Sequence, residues 1–144
     1  MRSTLFNEFI RIFLGRQSFQ RNPLARQAFL QALGVFPDPQ ARLISLFAYE
    51  NTGLASWLSA LSAGHRATHL LVPQGRIMTD LLHWLDVEAL PPGTVERRGT
   101  LTVQALPFVR QEDYDRILWS CDFNAVRGED SFVRAQWAAR PMLW

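Results

Sequence analysis

The sequence predicts an α/β fold, a parallel sheet with helices on both faces. Three observations predict it. From residue 41 onward, short apolar runs alternate with longer amphipathic ones. Two of the short runs, "ARLISLFAYE" and "THLLVP", read as strands buried on both sides. The composition, 48% hydrophobic and 19% charged over 144 residues, suits one folded domain with a core of ordinary size. Strands joined by crossover helices in this way build a doubly wound, Rossmann-like layer.

The elements follow in chain order. Residues 4–14 repeat apolar side chains at helical spacing, with Asn7, Glu8 and Arg11 between them, so they read as an amphipathic helix packed on a partner surface. The same interruptions argue against a signal peptide or a membrane span, and the cytoplasm is the expected compartment. "PLARQAFLQALG" is a second helix, with Pro23 in its first turn and Gly34 as its C-terminal cap. Strand 41–50, helix 53–64, strand 68–73 and helix 76–90 come next, the last closed by Pro91, Pro92 and Gly93. A third strand is expected at 99–108, a short helix at 113–121, a fourth strand with its exit loop at 122–128, a helix at 129–140, and the start of a fifth strand at "PMLW".

Composition excludes some chemistry. All 15 basic residues are arginine, scattered except for Arg97 and Arg98, and no basic run alternates with aromatics, so nucleic acid is not an expected partner. A single cysteine, Cys121, rules out an internal disulfide and a Cys-rich zinc site. His65 and His69 are four apart but fall where a turn runs into a strand, so surface histidines are expected and no metal. There is no G-x-G-x-x-G, no Walker loop and no G-x-S-x-G elbow.

Ligands of open α/β sheets sit beyond the carboxyl ends of the strands, which directs attention to residues 47–51, 73–75, 107–111 and 127–131. The corner Arg127–Ser131 is the strongest candidate. Gly128 permits a tight turn, the amides of the following helix favour an anion, and Arg127 can grip the same group. Glu129, Asp130 and Ser131 are also residues that simply cap helices. Tyr49 can bond a phosphate or sugar, or stand as a rim contact beside a helix cap at Asn51 or Thr52. Phe108 can stack on a base and Gln111 read its edge, although aromatics at such positions are more often core. Arg134 and Arg140 are expected on the outside of the last helix.

The stretch "DYDRILWSCDFNAVRGEDSFVRAQWAARPMLW" resembles the signature region of the elongation factor P arginine rhamnosyltransferases. "SLFAYEN" and "ALPFVRQEDYD" resemble segments of the same family in the same order, so the similarity covers about residues 41–144. It implies the carboxyl-terminal, Rossmann-like half of a two-domain GT-B enzyme. Such an enzyme transfers L-rhamnose, with inversion, from dTDP-β-L-rhamnose to an arginine of translation elongation factor P, with no cofactor beyond the donor. By motif, Phe47 and Phe108 would flank the thymine or its ribose and Gln111 would contact the nucleotide. Tyr49, Arg127, Asp130 and Ser131 would hold the diphosphate or ribose, and Glu129 would face the sugar and assist transfer.

The sequence also departs from that family. The amino-terminal domain, which carries the general-base aspartate, has no counterpart beyond residues 1–40, read as a helical lead-in or interdomain segment. The expectation is therefore a donor-binding part, inactive alone, with a non-catalytic nucleotide-binding or partner-binding module as the alternative.

Overall fold

The computed structural model describes residues 3–49 and 51–143, with Ser3, Glu129 and Asp130 described by backbone alone. In chain order the elements are α1 (Ser3–Gln20), α2 (Pro23–Ala32), β1 (Arg42–Phe47), α3 (Leu54–Ala63), β2 (Thr68–Pro73) and α4 (Met78–Leu85). They continue as β3 (Val95–Arg98), β4 (Leu101–Leu106), α5 (Gln111–Ser120), β5 (Phe123–Val126), α6 (Glu129–Ala138) and β6 (Met142–Leu143). The six strands form one sheet in the order β3-β4-β2-β1-β5-β6, parallel throughout except for the β3–β4 pair. The α/β architecture expected for the Rossmann-like half of a GT-B enzyme is the one found.

Alternation along the strands divides the core into two layers. Ile44, Leu46, Leu70, Val72 and Val103 pack on Leu58, Leu81 and Leu85 of α3 and α4. Their neighbours Leu43, Leu71 and Leu106 face the other way, onto Leu30 and Ile117 of α2 and α5. Val126 continues that second layer against Ile12, Leu118 and Ala135 of α1, α5 and α6.

Local chemistry sets several boundaries. Asn22 caps α2 by accepting bonds from the Leu24 and Ala25 amides, with Pro23 as the first helical residue. Gly34, at φ 77°, then ends α2, while Val35 N–H reaches back to the Leu30 carbonyl at 2.8 Å.

Four expectations are corrected. Strand β3 was not expected, because "VERR" carries three charges in four residues; it is an edge strand, where one face can stay in water. The expected third, fourth and fifth strands are therefore β4, β5 and β6. Helix α1 runs on to Gln20, since Gly15 sits against the Trp119 ring and Phe19 packs on Trp119 beyond it. Helix α4 stops at Leu85 because Asp86 turns left-handed, at φ 56°; Leu90 still enters the core from an irregular segment. Arg134 and His69, both expected at the surface, are buried, and each has a polar partner.

Candidate functional site

The chain moves from β1 through β2 to β4 in one direction, with α3 and α4 on one face, then returns along α5 to β5 on the far side of β1. Strands β1 and β5 thus flank the point where the winding reverses, where the loops diverge and leave a crevice. The Arg127 amide donates to the Phe47 carbonyl at 2.8 Å, the last rung before the two chains part.

A cavity of about 380 Å³ opens there. Phe47 and Tyr49 line it from the β1 exit, Pro73 and Gln74 from the β2 exit, and Phe108 and Val109 from the β4 exit. Gln111 and Tyr114 reach it from the start of α5, and Gly128 and Ser131 from the start of α6. Five of the residues singled out from the sequence, Phe47, Tyr49, Phe108, Gln111 and Ser131, therefore meet around one space although they span more than half the chain.

Its walls differ in character. Phe47 is packed against Tyr114, ring centroids 5.3 Å apart, and forms a firm floor. Phe108 is 87% exposed and Tyr49 49% exposed, an unusual state for large rings at the mouth of a core. The Arg76 guanidinium lies 5.3 Å above the Tyr49 ring and steadies it by a cation–π contact.

The α6 corner is built on Gly128. Its φ of 123° with ψ of 143° is a backbone state that side chains with a Cβ rarely adopt, so the turn that aims α6 at the cavity depends on glycine. Gly128 has no side chain to cap α6, and the side chain of Arg110, which flanks α5, makes no capping hydrogen bond. Two helix starts, each with its positive dipole end, thus face one crevice. The side chains of Glu129 and Asp130 lie outside the described residues, as do Glu50 and Trp144. Among the described residues lining the cavity there is no carboxylate.

Arg127 is not brought into the same space. It is exposed and lines a neighbouring cavity of about 300 Å³, with Asn51, Gly53 and Trp57, on the other side of the β5–α6 corner. A larger hollow of about 670 Å³, edged by Asp80, His83 and Trp84, opens on the α3–α4 side. It gathers only one strand exit, so the 380 Å³ crevice at the winding reversal is the better candidate despite its size.

Sequence reasoning missed Tyr114. With the helix expected to begin at 113 the two do not share it; its start at Gln111 puts Gln111 and Tyr114 three apart on one face. Gln74 fell within an inspected strand exit but received no role. Among the described residues no group of three or more His, Cys, Asp or Glu is placed to hold a metal, and no helix is long and apolar enough to cross a membrane.

With this geometry in hand, known proteins bear on the chain. The family described as Elongation-Factor P (EF-P) rhamnosyltransferase EarP matches residues 3–144. The chain is 63% identical over 129 residues to a protein-arginine rhamnosyltransferase of Pseudomonas putida, and 55% identical over 129 residues to that of Pseudomonas aeruginosa. In each case the match covers 90% of this chain and 34% of the relative. A counterpart in Shewanella oneidensis is 41% identical, covering 92% of this chain and 35% of its own length. A solved structure concerned with EarP-mediated arginine glycosylation of translation elongation factor EF-P is 61% identical and superposes with a TM-score of 0.90, over 92% of this chain and 44% of that one. The chain spans about a third of the length of the curated relatives it matches. It belongs to the EF-P rhamnosyltransferase family, EarP.

Proposed function

We propose that this chain is the donor-binding part of a glycosyltransferase that moves L-rhamnose from dTDP-β-L-rhamnose onto an arginine of translation elongation factor P in the cytoplasm. The observation that carries the reading is the convergence of Phe47, Tyr49, Phe108, Gln111 and Ser131 on the crevice at the winding reversal. The crevice suits a nucleotide sugar: rings for a base, an amide for its edge or ribose, and helix amides for a diphosphate.

In this reading the thymine lies between Phe47 and Phe108, and Gln111 bonds the nucleoside. The diphosphate rests on the α6 amides and the Ser131 hydroxyl, while Tyr49 bonds it from the β1 side. Arg127 approaches the same group from the neighbouring cavity, around the Gly128 corner. The family resemblance assigns Asp130 to a ribose or sugar hydroxyl and Glu129 to the rhamnose and its transfer.

Transfer with inversion forms a bond from an acceptor guanidine nitrogen to the sugar C1 as the C1–oxygen bond to the diphosphate breaks, its electron pair leaving with dTDP. The helix amides and Arg127 stabilise that growing charge. The nitrogen must shed a proton, and a guanidinium is a poor nucleophile without a carboxylate beside it. No such group lines the crevice among the described residues, so these residues account for the donor side of the reaction.

Calorimetric titration of the chain with dTDP-rhamnose, dTDP and UDP tests the reading. Saturable binding of both thymidine compounds is expected. Failure of dTDP and dTDP-rhamnose to bind at millimolar concentration overturns it. Leu5, Phe6 and Leu14, exposed along α1, favour a second reading as a partner-binding module. An arginine rhamnosylation assay on elongation factor P, with this chain inside its longer relative's framework, separates the two.

A further inference from the structure

Helices α5 and α6 start at the crevice and end against α1 and α2. The far ends are capped from those helices: Arg16 donates to the Trp137 carbonyl, Gln20 to the Trp119 and Ala138 carbonyls, and Arg26 to the Ser120 carbonyl. Between the two ends one buried ion pair joins α5 to α6. Asp115 and Arg134 are 4% and 7% exposed, and Arg134 Nη1 donates to both carboxylate oxygens, at 2.9 and 2.7 Å. Arg134 Nη2 also reaches Glu8 Oε1 of α1 at 3.4 Å.

The position of the pair is what gives it meaning. Asp115 follows Tyr114 and lies four residues after Gln111, while Arg134 lies three residues after Ser131, so each partner sits about one turn behind a residue that lines the crevice. A buried charge pair gains little stability over apolar residues of the same volume. Its distinguishing property is direction, because the planar guanidinium is held through two of its nitrogens, Nη1 on Asp115 and Nη2 on Glu8, and a rigid fork held at two points fixes an angle as well as a distance.

We propose that Asp115 and Arg134 are positioning residues that set the offset between the α5 start, which holds the nucleoside half of a nucleotide sugar, and the α6 start, which holds its diphosphate. The proposal rests on the donor-binding reading above. Neither residue touches the ligand. When the offset is disturbed, a ligand that uses only the α5 side binds as before, whereas one that spans both sides loses part of the gain from engaging them together.

The test compares the Kd of thymidine with that of dTDP by calorimetry on the 144-residue chain. The variants are Arg134→Lys, which keeps the charge but not the fork, and Asp115→Leu combined with Arg134→Met, which leaves no charge buried alone. Circular dichroism and a melting curve establish that each is folded, and the apolar pair carries the test if Arg134→Lys does not fold. The thymidine Kd is expected to move by less than about twofold and the dTDP Kd to weaken by about tenfold, so that their ratio collapses. A folded variant with a lowered melting temperature and an unchanged ratio overturns the proposal and leaves donor binding standing. A wild-type chain that binds neither compound overturns the donor reading, and the positioning role with it.

Discussion

The two ends of the sheet both open into cavities, and they are built from different side chains. At the amino end, a cavity of about 440 Å³ is lined by His69, Thr100 and Gln104, and their side chains are already engaged within the fold. Gln104 donates to the Gly34 carbonyl at 2.9 Å, which turns its oxygen toward His69 Nε2 at 2.8 Å, and the Thr100 hydroxyl lies 2.9 Å from the Leu61 carbonyl. At the carboxyl end, the crevice leaves Phe108 and Tyr49 facing water, and neither Arg110 nor Gly128 caps the helix that follows it through a side chain. Size does not distinguish these places. What does is their chemistry: the amino-end cavity holds polar side chains already bonded within the fold beside the exposed Phe36 ring, whereas the crevice gathers two exposed rings from different strand exits, which stay uncovered unless something else packs on them.

That contrast can be broken or sharpened by measurement, beginning with the largest effect. Asp115→Ala removes the buried carboxylate that Arg134 Nη1 donates to and is expected to cost about 3–5 kcal/mol in a urea unfolding experiment. Gly128→Ala forces a Cβ onto a φ of 123° and should lower stability by about 1–3 kcal/mol, with the loss centred on α6 in hydrogen exchange. Phe108→Ala should leave the melting temperature unchanged, since the ring is exposed, yet weaken dTDP binding by about 1–3 kcal/mol. An equal loss of stability would mean that the ring is structural.

The amino end supplies two smaller effects. Burial lowers the His69 pKa below its ordinary value, outweighing the Gln104 bond, and nearby Arg97 lowers it further. The unfolded chain therefore binds the proton more readily than the folded one. Stability should be fully present above the unfolded pKa of about 6.5 and decline as pH falls below it, a slope that His69→Gln should flatten in pH-dependent melting. Burial also pushes the Cys121 thiol up, so the native chain should react with iodoacetamide only at its unfolding rate.

Much of the fold was legible because it rests on local pattern. The apolar runs that became β1, β2, β4 and β5, and the glycine that ends α2, follow from hydrophobic spacing and backbone freedom alone. The misses share a cause. "VERR" becomes a strand because β4 offers an edge, and Arg134 is buried because Asp115, nineteen residues earlier, comes to meet it. Neither partner can be read from the segment itself.

The sequence by itself determined every element but β3, the glycine at the α6 corner and the residue types gathered at the strand exits, since these depend on interactions within a few residues. The tertiary structure decided that Phe47, Tyr49, Phe108, Gln111 and Ser131 share one crevice, that Arg127 falls in the next one, and that Tyr114 joins the wall. The physical reason is that sheet order and winding direction come from long-range packing, which sets the distances between strand exits and leaves no trace in any one stretch of chain.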